Sequence, residues 1–500
     1  MPVDYQHRKF AEWGNQYGDI SFARLFRTPA LILNSVQAAQ DLMDKRSAQY
    51  SDRPRFVLVV ELMGWDSISS HMAYGDRSRK HRKWIHDAFQ TKAVLESYYP
   101  LQRREASVLV SGLLESPEAY ITHFRRQPNF LWFAAALVVE ITYGHRVTSL
   151  DDKYIGLAER ATTATAEAGS PGSMLVDFFP ILKELPAWLP GCDFKRRALD
   201  ARPHIRAFLD MPFQMVKDAM WQATGTTIPS VTASLIEKCS GNEGINKEDE
   251  EDIKGTAGFY TEPELRQSVV IALTTFVMAM VLYPNVFKKA QEEIDGVIGN
   301  ERLPDFTDRD SLPYLGCTLK ELYRWNSPLP LGLPHRATSD DIYRGYRIPQ
   351  GCMIIPNIWG MMHAPDIYPE PEKFRPERFL ETTHGPSSRT DASDPYNIVF
   401  GFGRRLCPGQ AFADSSLWLA MAHMIATLDI RKRVDSFGKE INFEAAFSSG
   451  FVRQAHYLNR FMRASVEVLC SAPKPFTCVI LPRSKKACEL VQSTSADLAH

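Results

Sequence analysis

The stretch FGFGRRLCPG, residues 400–409, decides the fold of this 500-residue chain. It surrounds Cys407 with three glycines and carries the basic residue Arg405 two positions before the cysteine. Glycines permit a tight loop whose backbone N–H groups point at sulfur, and a thiolate held in this way is a strong donor to haem iron. The spacing Phe-x-x-Gly-x-Arg-x-Cys-x-Gly therefore predicts an iron ligand at Cys407. The alternative is a buried free cysteine beside a glycine turn, which is the usual position of a lone cysteine.

The same stretch resembles the haem-binding loop of the cytochrome P450 family, the haem-thiolate monooxygenases. This resemblance implies the cytochrome P450 fold, mainly α with a minor β-sheet. It also implies haem b (iron protoporphyrin IX) as cofactor, with Cys407 as metal ligand and with Phe400 and Arg405 in contact with the haem. The long segments resemble fungal microsomal-type members.

A second segment, LKELYRW, places Glu321 and Arg324 three residues apart, on one face of a helix. Such a pair is common on solvated helices. About fifty residues later, PERF carries Arg378, which matches the third partner of the pair in the family. The resemblance implies a Glu321–Arg324–Arg378 network that supports the haem-binding scaffold.

The run YGDRSRKHRKW, residues 74–84, predicts a helix rich in positive charge. Runs of this kind are more often a solvated face than a site. In the family, the corresponding helix carries Trp-Arg-x-x-Arg and its basic residues meet the haem propionates. By this resemblance Arg79 and Arg82 bind haem, together with Arg336 of the PHR element, although Ser78 replaces the expected tryptophan.

The central helix departs from the family's oxygen-activating pattern. Where Ala-Gly-x-Asp/Glu-Thr-Thr is expected the chain reads ELRQSV, so that Gln267 replaces the acid and Ser268 the threonine. Serine keeps a hydroxyl, but glutamine cannot relay a proton by ionising. These two residues are the catalytic candidates. Arg266 offers an alternative, because peroxygenases of the same fold replace the acid and the alcohol with arginine and proline and hold a fatty-acid carboxylate with that arginine. In this chain the arginine is one residue early and no proline follows it.

The resemblance also suggests which side chains face an apolar small-molecule substrate. The candidates lie before the basic helix, at the central helix, near the haem edge and near the C-terminus: Phe56, Val57, Met63, Leu265, Leu329, Leu331 and Phe451.

Composition favours one catalytic domain over residues 1–500. Hydrophobic residues make up 44% of the chain and the formal net charge is −1, so nothing indicates nucleic-acid binding. The eight cysteines show no paired spacing, which argues against a disulfide framework and a zinc site.

Three regions raise separate expectations. The N-terminus has no run of about 20 apolar residues, so the absence of a membrane anchor and a location in the cytoplasm or at the periphery of the endoplasmic reticulum are expected. Membrane association would follow if an anchor precedes this sequence. Residues 452–469 exceed the family's terminal hairpin and are interpreted either as an insertion or as a translated intron. Residues 484–500 are expected to form a polar tail of low order.

Apolar periodicity predicts a mostly helical chain with an early β-hairpin in residues 17–35. The helices are expected at residues 36–45, 77–89, 130–143, 151–168, 194–223, 263–283, 284–298, 313–326 and 409–428.

The function expected from the resemblance is insertion of one atom of dioxygen into an apolar organic substrate, in secondary metabolism or xenobiotic oxidation. Electrons would come from NADPH through a flavoprotein reductase. Two alternatives remain: a peroxide-driven fatty-acid peroxygenase, and a catalytically impaired haem-binding protein, which the altered helix and the missing tryptophan would favour.

Overall fold

The computed structural model describes most of the chain. The described ranges are residues 4–115, 128–149, 151–169, 174–221, 229–241, 244–380, 391, 393–449 and 470–497. The side chains of residues 128–131, 263–265 and 494–497 are not described. The proposed insertion at 452–469, Phe451 and the side chain of Leu265 therefore lie outside the described part of the protein.

The described residues are mainly helical, as the resemblance implies. The helices of the N-terminal half are α1 Gln6–Tyr17, α2 Val36–Ala39, α3 Ser47–Tyr50, α4 Asp76–Phe89, α5 Lys92–Ser97, α6 Tyr99–Glu115, α7 Pro128–Tyr143, α8 Lys153–Ala168, α9 Leu175–Phe178 and α10 Asp193–Trp221. Those that follow are α11 Val231–Cys239, α12 Lys247–Thr261, α13 Pro263–Leu282, α14 Pro284–Val297, α15 Pro313–Trp325, α16 Ile358–Met362, α17 Tyr396–Val399, α18 Gln410–Thr427 and α19 Lys485–Asp497. Short π-helical turns at Gln40–Lys45 and Val57–Leu62 and 3₁₀ turns at Pro180–Glu184, Phe306–Ser311, Pro376–Phe379 and Gly403–Arg405 complete the helical content.

The β-structure is minor. Its strands are β1 Ile20–Leu25, β2 Thr28–Leu33, β3 His335–Arg336, β4 Asp341–Tyr343, β5 Tyr346–Ile348, β6 Met353–Pro356, β7 Leu428–Lys432 and β8 Cys478–Pro482. The predicted early hairpin is β1 and β2, and it continues into a four-stranded sheet of order β1-β2-β6-β3. Strand β2 pairs with β6 in parallel, so the sheet joins the N-terminal segment to the segment that precedes the cysteine loop.

The core lies around α13 and α18. On α18 nearly every side chain is buried, including Trp418 and Met421, and α13 buries Phe276 and Val277 in the same apolar cluster. A helix that is apolar on all sides must lie inside the protein. Within the described residues, one helical stretch, Lys247–Leu282, is long and apolar enough to cross a membrane, but 71% of its apolar window is buried in the protein, as in a core helix.

The central helix is divided at Glu262. This residue has φ −53° and ψ 133°, it ends α12, and Pro263 begins α13. Proline has no backbone N–H and disfavours helical geometry at the residue before it. The expected single helix beginning at 263 is therefore preceded by a second helix, α12, that periodicity did not predict.

The C-terminal segment differs from expectation. The described residues 485–497 are not the expected polar tail of low order, because Lys485–Asp497 forms α19 and buries Ala487 and Val491. Helix α19 packs on α6. These two apolar residues are four apart and share one helix face, a short signal that the surrounding polar residues obscure.

The structure brings Glu321, Arg324 and Arg378 together. Both Glu321 and Arg324 are 0% exposed, and Arg324 donates two hydrogen bonds to the Glu321 carboxylate at 2.7 and 2.8 Å. Arg378 adds a third from Nε at 3.2 Å. The remaining N–H groups of Arg324 bind the carbonyl oxygens of Met362 and Lys373, so the network ties α15 to the segment that leads to the cysteine loop.

We expect Glu321→Ala to lower the free energy of unfolding by roughly 3–5 kcal/mol, because it leaves two buried or half-buried guanidiniums without their carboxylate. Chemical denaturation of the haem-loaded protein measures this. Glu12→Ala is the matched control, since Glu12 forms an exposed i,i+3 pair with Lys9 and should contribute less than about 1 kcal/mol. Equal stability of the two variants would contradict the scaffold role.

Candidate functional site

The cysteine loop is closed by its own backbone. The N–H of Cys407 donates to the carbonyl of Phe400 at 2.8 Å, and the turn between them includes the 3₁₀ turn Gly403–Arg405. Gly403 has φ +56°, and a Cβ there would lie 1.9 Å from the carbonyl oxygen of Met43. Only glycine fits that position, which explains this part of the motif.

Burial and two favourable interactions act on the Cys407 thiol in opposite directions. Burial raises the pKa of Cys407, while the N–H of Gly409 and the charge of Arg82 lower it. Burial dominates, so the free thiol is protonated. A metal cation reverses this balance, because a coordinating thiol is deprotonated outright. The site is thus chemically suited to a thiolate ligand once a metal is bound.

Three guanidiniums lie near this loop. Arg82, from α4, donates to the carbonyl of Leu406 at 2.7 Å, beside the cysteine. Arg405 donates to the carbonyls of Ser51, Ser69 and Met72 at 2.8, 3.2 and 2.8 Å. Burial and then repulsion from Arg82 lower the pKa of Arg405 to about 10.

Arg53 is the third guanidinium, and no sequence motif indicated it. It donates to the carbonyls of Ser70, Leu333 and Pro334, each at 2.9 Å. Burial, and then the charges of Arg405 and Arg82, place its pKa well below the usual range. We call Arg53, Arg82 and Arg405 the arginine cluster.

The other predicted haem arginines have different surroundings. Arg336 donates from Nε to the Asp52 carboxylate at 2.9 Å. It lies two residues after Pro334, whose carbonyl binds Arg53, and so borders the arginine cluster. Arg79 is exposed on α4 and pairs with Asp76, so the structure does not bring it into the cluster. The tryptophan position is occupied by Ser78, which is buried and exchanges hydrogen bonds with the backbone of Gly75 at 2.9 Å, and so caps α4.

The rest of the basic run on α4 binds a neighbouring helix. Arg77 and Lys80 contact the carboxylate of Asp252 on α12 at 2.5 and 2.7 Å, and His81 lies 3.1 Å from it. Burial raises the pKa of Asp252, but the neighbouring His81, Lys80 and Arg77 bring it well below its usual range. The basic residues of α4 therefore have two different roles. Arg82 binds the cysteine loop, whereas Arg77 and Lys80 hold α4 against α12.

The oxygen-handling and pocket candidates are dispersed. Gln267 and Ser268 are half-buried at the start of α13, and Arg266 beside them is buried. Val57 and Met63 lie in the main apolar cluster, whereas Leu331 packs in a small cluster with Phe10 beside the sheet. Phe56 is also buried and Leu329 half-buried. The structure thus separates Leu331 from the candidates before α4.

The residues present fit a haem group. The cluster contains three guanidiniums, and the charge of Asp52 raises the pKa of Arg53 only in part against burial and the other two arginines. Like charges held together at low dielectric favour an anionic ligand, and guanidinium groups suit carboxylates such as the two haem propionates. A buried thiol one residue beyond the carbonyl that binds Arg82 supplies a soft metal ligand. Fold and site together are those of a haem-thiolate protein.

Comparison with known proteins gives the same class. The cytochrome P450 family model matches residues 3–447. Cytochrome P450 monooxygenase 136 of Postia placenta is 43% identical over 98% of this chain and 87% of the relative. Cytochrome P450 monooxygenase claR of Ampulloclitocybe clavipes is 38% identical over 99% and 86%, and tryptamine 4-monooxygenase of Psilocybe cyanescens is 34% identical over 99% and 91%.

The chain belongs to the cytochrome P450 family, whose cofactor is haem. It is an oxidoreductase of the cytochrome P450 monooxygenase class.

We expect Cys407→Ala to abolish the thiolate spectrum of the reduced carbon monoxide complex and all oxygenase activity. The reason is that no other cysteine lies in a comparable loop beside the arginine cluster within the described residues. Absorption spectroscopy of the purified protein, with Cys239→Ala as control, measures the effect. A thiolate spectrum in Cys407→Ala would identify another cysteine as the ligand.

Two neighbouring arginines of α4 provide a matched pair. Arg82→Leu should weaken haem binding about tenfold or more, since a charge-assisted hydrogen bond contributes about 1.5–3 kcal/mol. Arg79→Leu should bind haem as the unaltered protein does. Haem transfer to apomyoglobin measures the loss rate in both variants, and equal rates would contradict the assignment of Arg82.

Proposed function

We propose that this protein is a haem-thiolate monooxygenase that inserts one atom of dioxygen into an apolar organic substrate, by hydroxylation or a related oxidation. The observation that carries the proposal is the Cys407 loop, in which a buried thiol lies beside the arginine cluster. When bound, haem supplies activation of dioxygen and transfer of one oxygen atom to the substrate.

The residues of the chain have distinct roles in this proposal. Cys407 holds the metal, and Phe400 packs beside it against Tyr323 and Tyr396 with ring centroids 5.2 and 6.3 Å apart. The arginine cluster, with Arg336 at its edge, holds the two propionates. Ser268 can hold a proton at its hydroxyl, while Gln267 can only donate or accept a hydrogen bond.

The substrate class rests on apolar lining and on the relatives. Phe56, Val57 and Met63 offer apolar side chains in the segment before α4, and Leu329 does so near the haem edge. One relative, from the fungus Psilocybe cyanescens, is named a tryptamine 4-monooxygenase. We therefore place the enzyme in fungal secondary metabolism or xenobiotic oxidation, with electrons from NADPH through a flavoprotein reductase.

A peroxygenase is the second candidate, and buried Arg266 on α13 is the observation that favours it. An arginine there could hold a fatty-acid carboxylate. Turnover with hydrogen peroxide and a fatty acid, without NADPH or reductase, that is lost in Arg266→Ala would establish this function in place of the first.

We expect Gln267→Asp, alone or with Ser268→Thr, to raise product formed per NADPH consumed and to lower peroxide release. An ionisable acid transfers protons better than an amide. Ser268→Ala should shift both quantities the other way. The measurement is a coupled assay with reductase and a library of apolar substrates. Identical coupling in all these variants would show that 267 and 268 do not handle protons.

A further inference from the structure

The central helix is interrupted between α12 and α13, and the residue at the interruption carries a buried carboxylate. Glu262 is only 4% exposed and lies at the junction, followed by Pro263. It precedes Gln267 by five residues, which is about 7–8 Å along a helix axis. The chain that lacks an acid at 267 thus has one at the entrance of the same helix.

Two side chains of one loop connect to this carboxylate. The Ser70 hydroxyl donates to Glu262 Oε2 at 3.1 Å, and Ser70 Oγ lies 3.0 Å from His71 Nδ1. His71 Nδ1 is itself 3.8 Å from Glu262 Oε1. Because the single hydroxyl proton is directed to the carboxylate, His71 donates from Nδ1 to Ser70 Oγ, and its Nε2 is the accepting nitrogen.

The loop that carries Ser70 and His71 is fixed from both sides. Arg53 binds the carbonyl of Ser70, and Arg405 binds those of Ser69 and Met72. On the other side, α12 approaches so closely that a Cβ on Gly255 would lie 2.1 Å from the carbonyl oxygen of Ser67. The arginine cluster and the central helix therefore hold this loop between them.

The charges around the loop keep His71 neutral. Burial and then the charge of Arg53 lower its pKa to about 4, so that at neutral pH it can accept one proton at Nε2 and release another from Nδ1. Arg405 also binds the backbone of this loop, and Arg266, four residues after Glu262, is buried at the start of α13.

We infer that Glu262, Ser70 and His71 form a proton relay toward the haem pocket, with Glu262 as the ionisable group that Gln267 no longer provides. A proton taken up at His71 Nε2 releases the Nδ1 proton to Ser70 Oγ, and the Ser70 proton passes to the Glu262 carboxylate. The resulting glutamic acid releases that proton at the start of α13, toward Ser268. The passage leaves His71 protonated at Nε2 instead of Nδ1, and a change of tautomer at His71 resets the relay, so that no charge is gained or lost over one cycle.

This inference rests on the proposed function for its effect on turnover, so the test includes a measurement that needs no turnover. Glu262→Gln keeps the size of the side chain and its hydrogen bond from Ser70 but cannot ionise. Glu105→Gln is the control, because Glu105 on α6 is also buried, and burial raises its pKa.

With reductase and NADPH, Glu262→Gln should keep full haem content and the thiolate spectrum while product per NADPH falls roughly tenfold or more. Peroxide release should rise and the pH profile of coupling should change. Adding Gln267→Asp to Glu262→Gln should restore coupling, which a merely structural loss would not allow. Glu105→Gln should behave as the unaltered protein does.

Infrared difference spectroscopy of the ferric holoenzyme across a pH titration provides the second measurement. A carboxyl C=O band that shifts in heavy water should vanish in Glu262→Gln, move in Ser70→Ala and persist in Glu105→Gln. If the unaltered enzyme forms no product with NADPH and reductase, the proposed function fails, while this band still tests the relay.

Unchanged coupling, peroxide release and pH profile in Glu262→Gln would overturn the inference. If that variant fails to bind haem, Ser70→Ala takes its place, since it removes only the hydroxyl. Unchanged coupling and an unmoved carboxyl band in Ser70→Ala would overturn the relay equally.

Discussion

Repulsion among the three guanidiniums of the arginine cluster is the constraint on which this structure depends. Burial and then the charges of Arg405 and Arg82 lower the pKa of Arg53, and burial and then the charge of Arg82 lower that of Arg405. Every carbonyl that they bind belongs to a loop that must be fixed by something else. The sheet holds the segment around Arg336, the Glu321 network holds the approach to the cysteine loop, and α12 holds the loop of Ser69–Met72 carbonyls. The scaffold thus keeps an anion-binding site in place, and binding of an anionic group relieves its strain.

The sequence predicted the parts of the fold whose signal is local. Apolar periodicity located α13, α14, α15 and α18 to within one or two residues, because each buries a broad apolar surface. The cysteine loop was predictable for a different reason, since Gly403 has a backbone that no other residue fits beside Met43. Where the side-chain pattern or the backbone geometry alone determines the local structure, that structure can be predicted from the sequence.

Tertiary contacts determined the remainder. Helices α12 and α19 are rich in polar residues and are stabilised by what they pack against, so their periodicity was weak. Arg53 lies in a loop, and nothing in its neighbours distinguishes it from a solvated arginine until the fold buries it against three carbonyls. In the basic run on α4, Arg79 and Arg82 look alike in sequence, and only the fold leaves Arg79 exposed beside Asp76 while it directs Arg82 to the cysteine loop.

The altered central helix then acquires a physical explanation. A proline at 263 would be costly inside a helix, yet here it divides the helix at the residue whose side chain must turn away from the helix axis toward Ser70. In the proposed relay, the break at 262 supplies the acid that position 267 lacks. A continuous helix with an acid at its centre would handle protons from within, whereas the divided helix offers an acid from its end, beside a loop held by the arginine cluster. Burial and then the charge of Arg53 keep His71 neutral, and this couples the arginine cluster to proton handling in that relay.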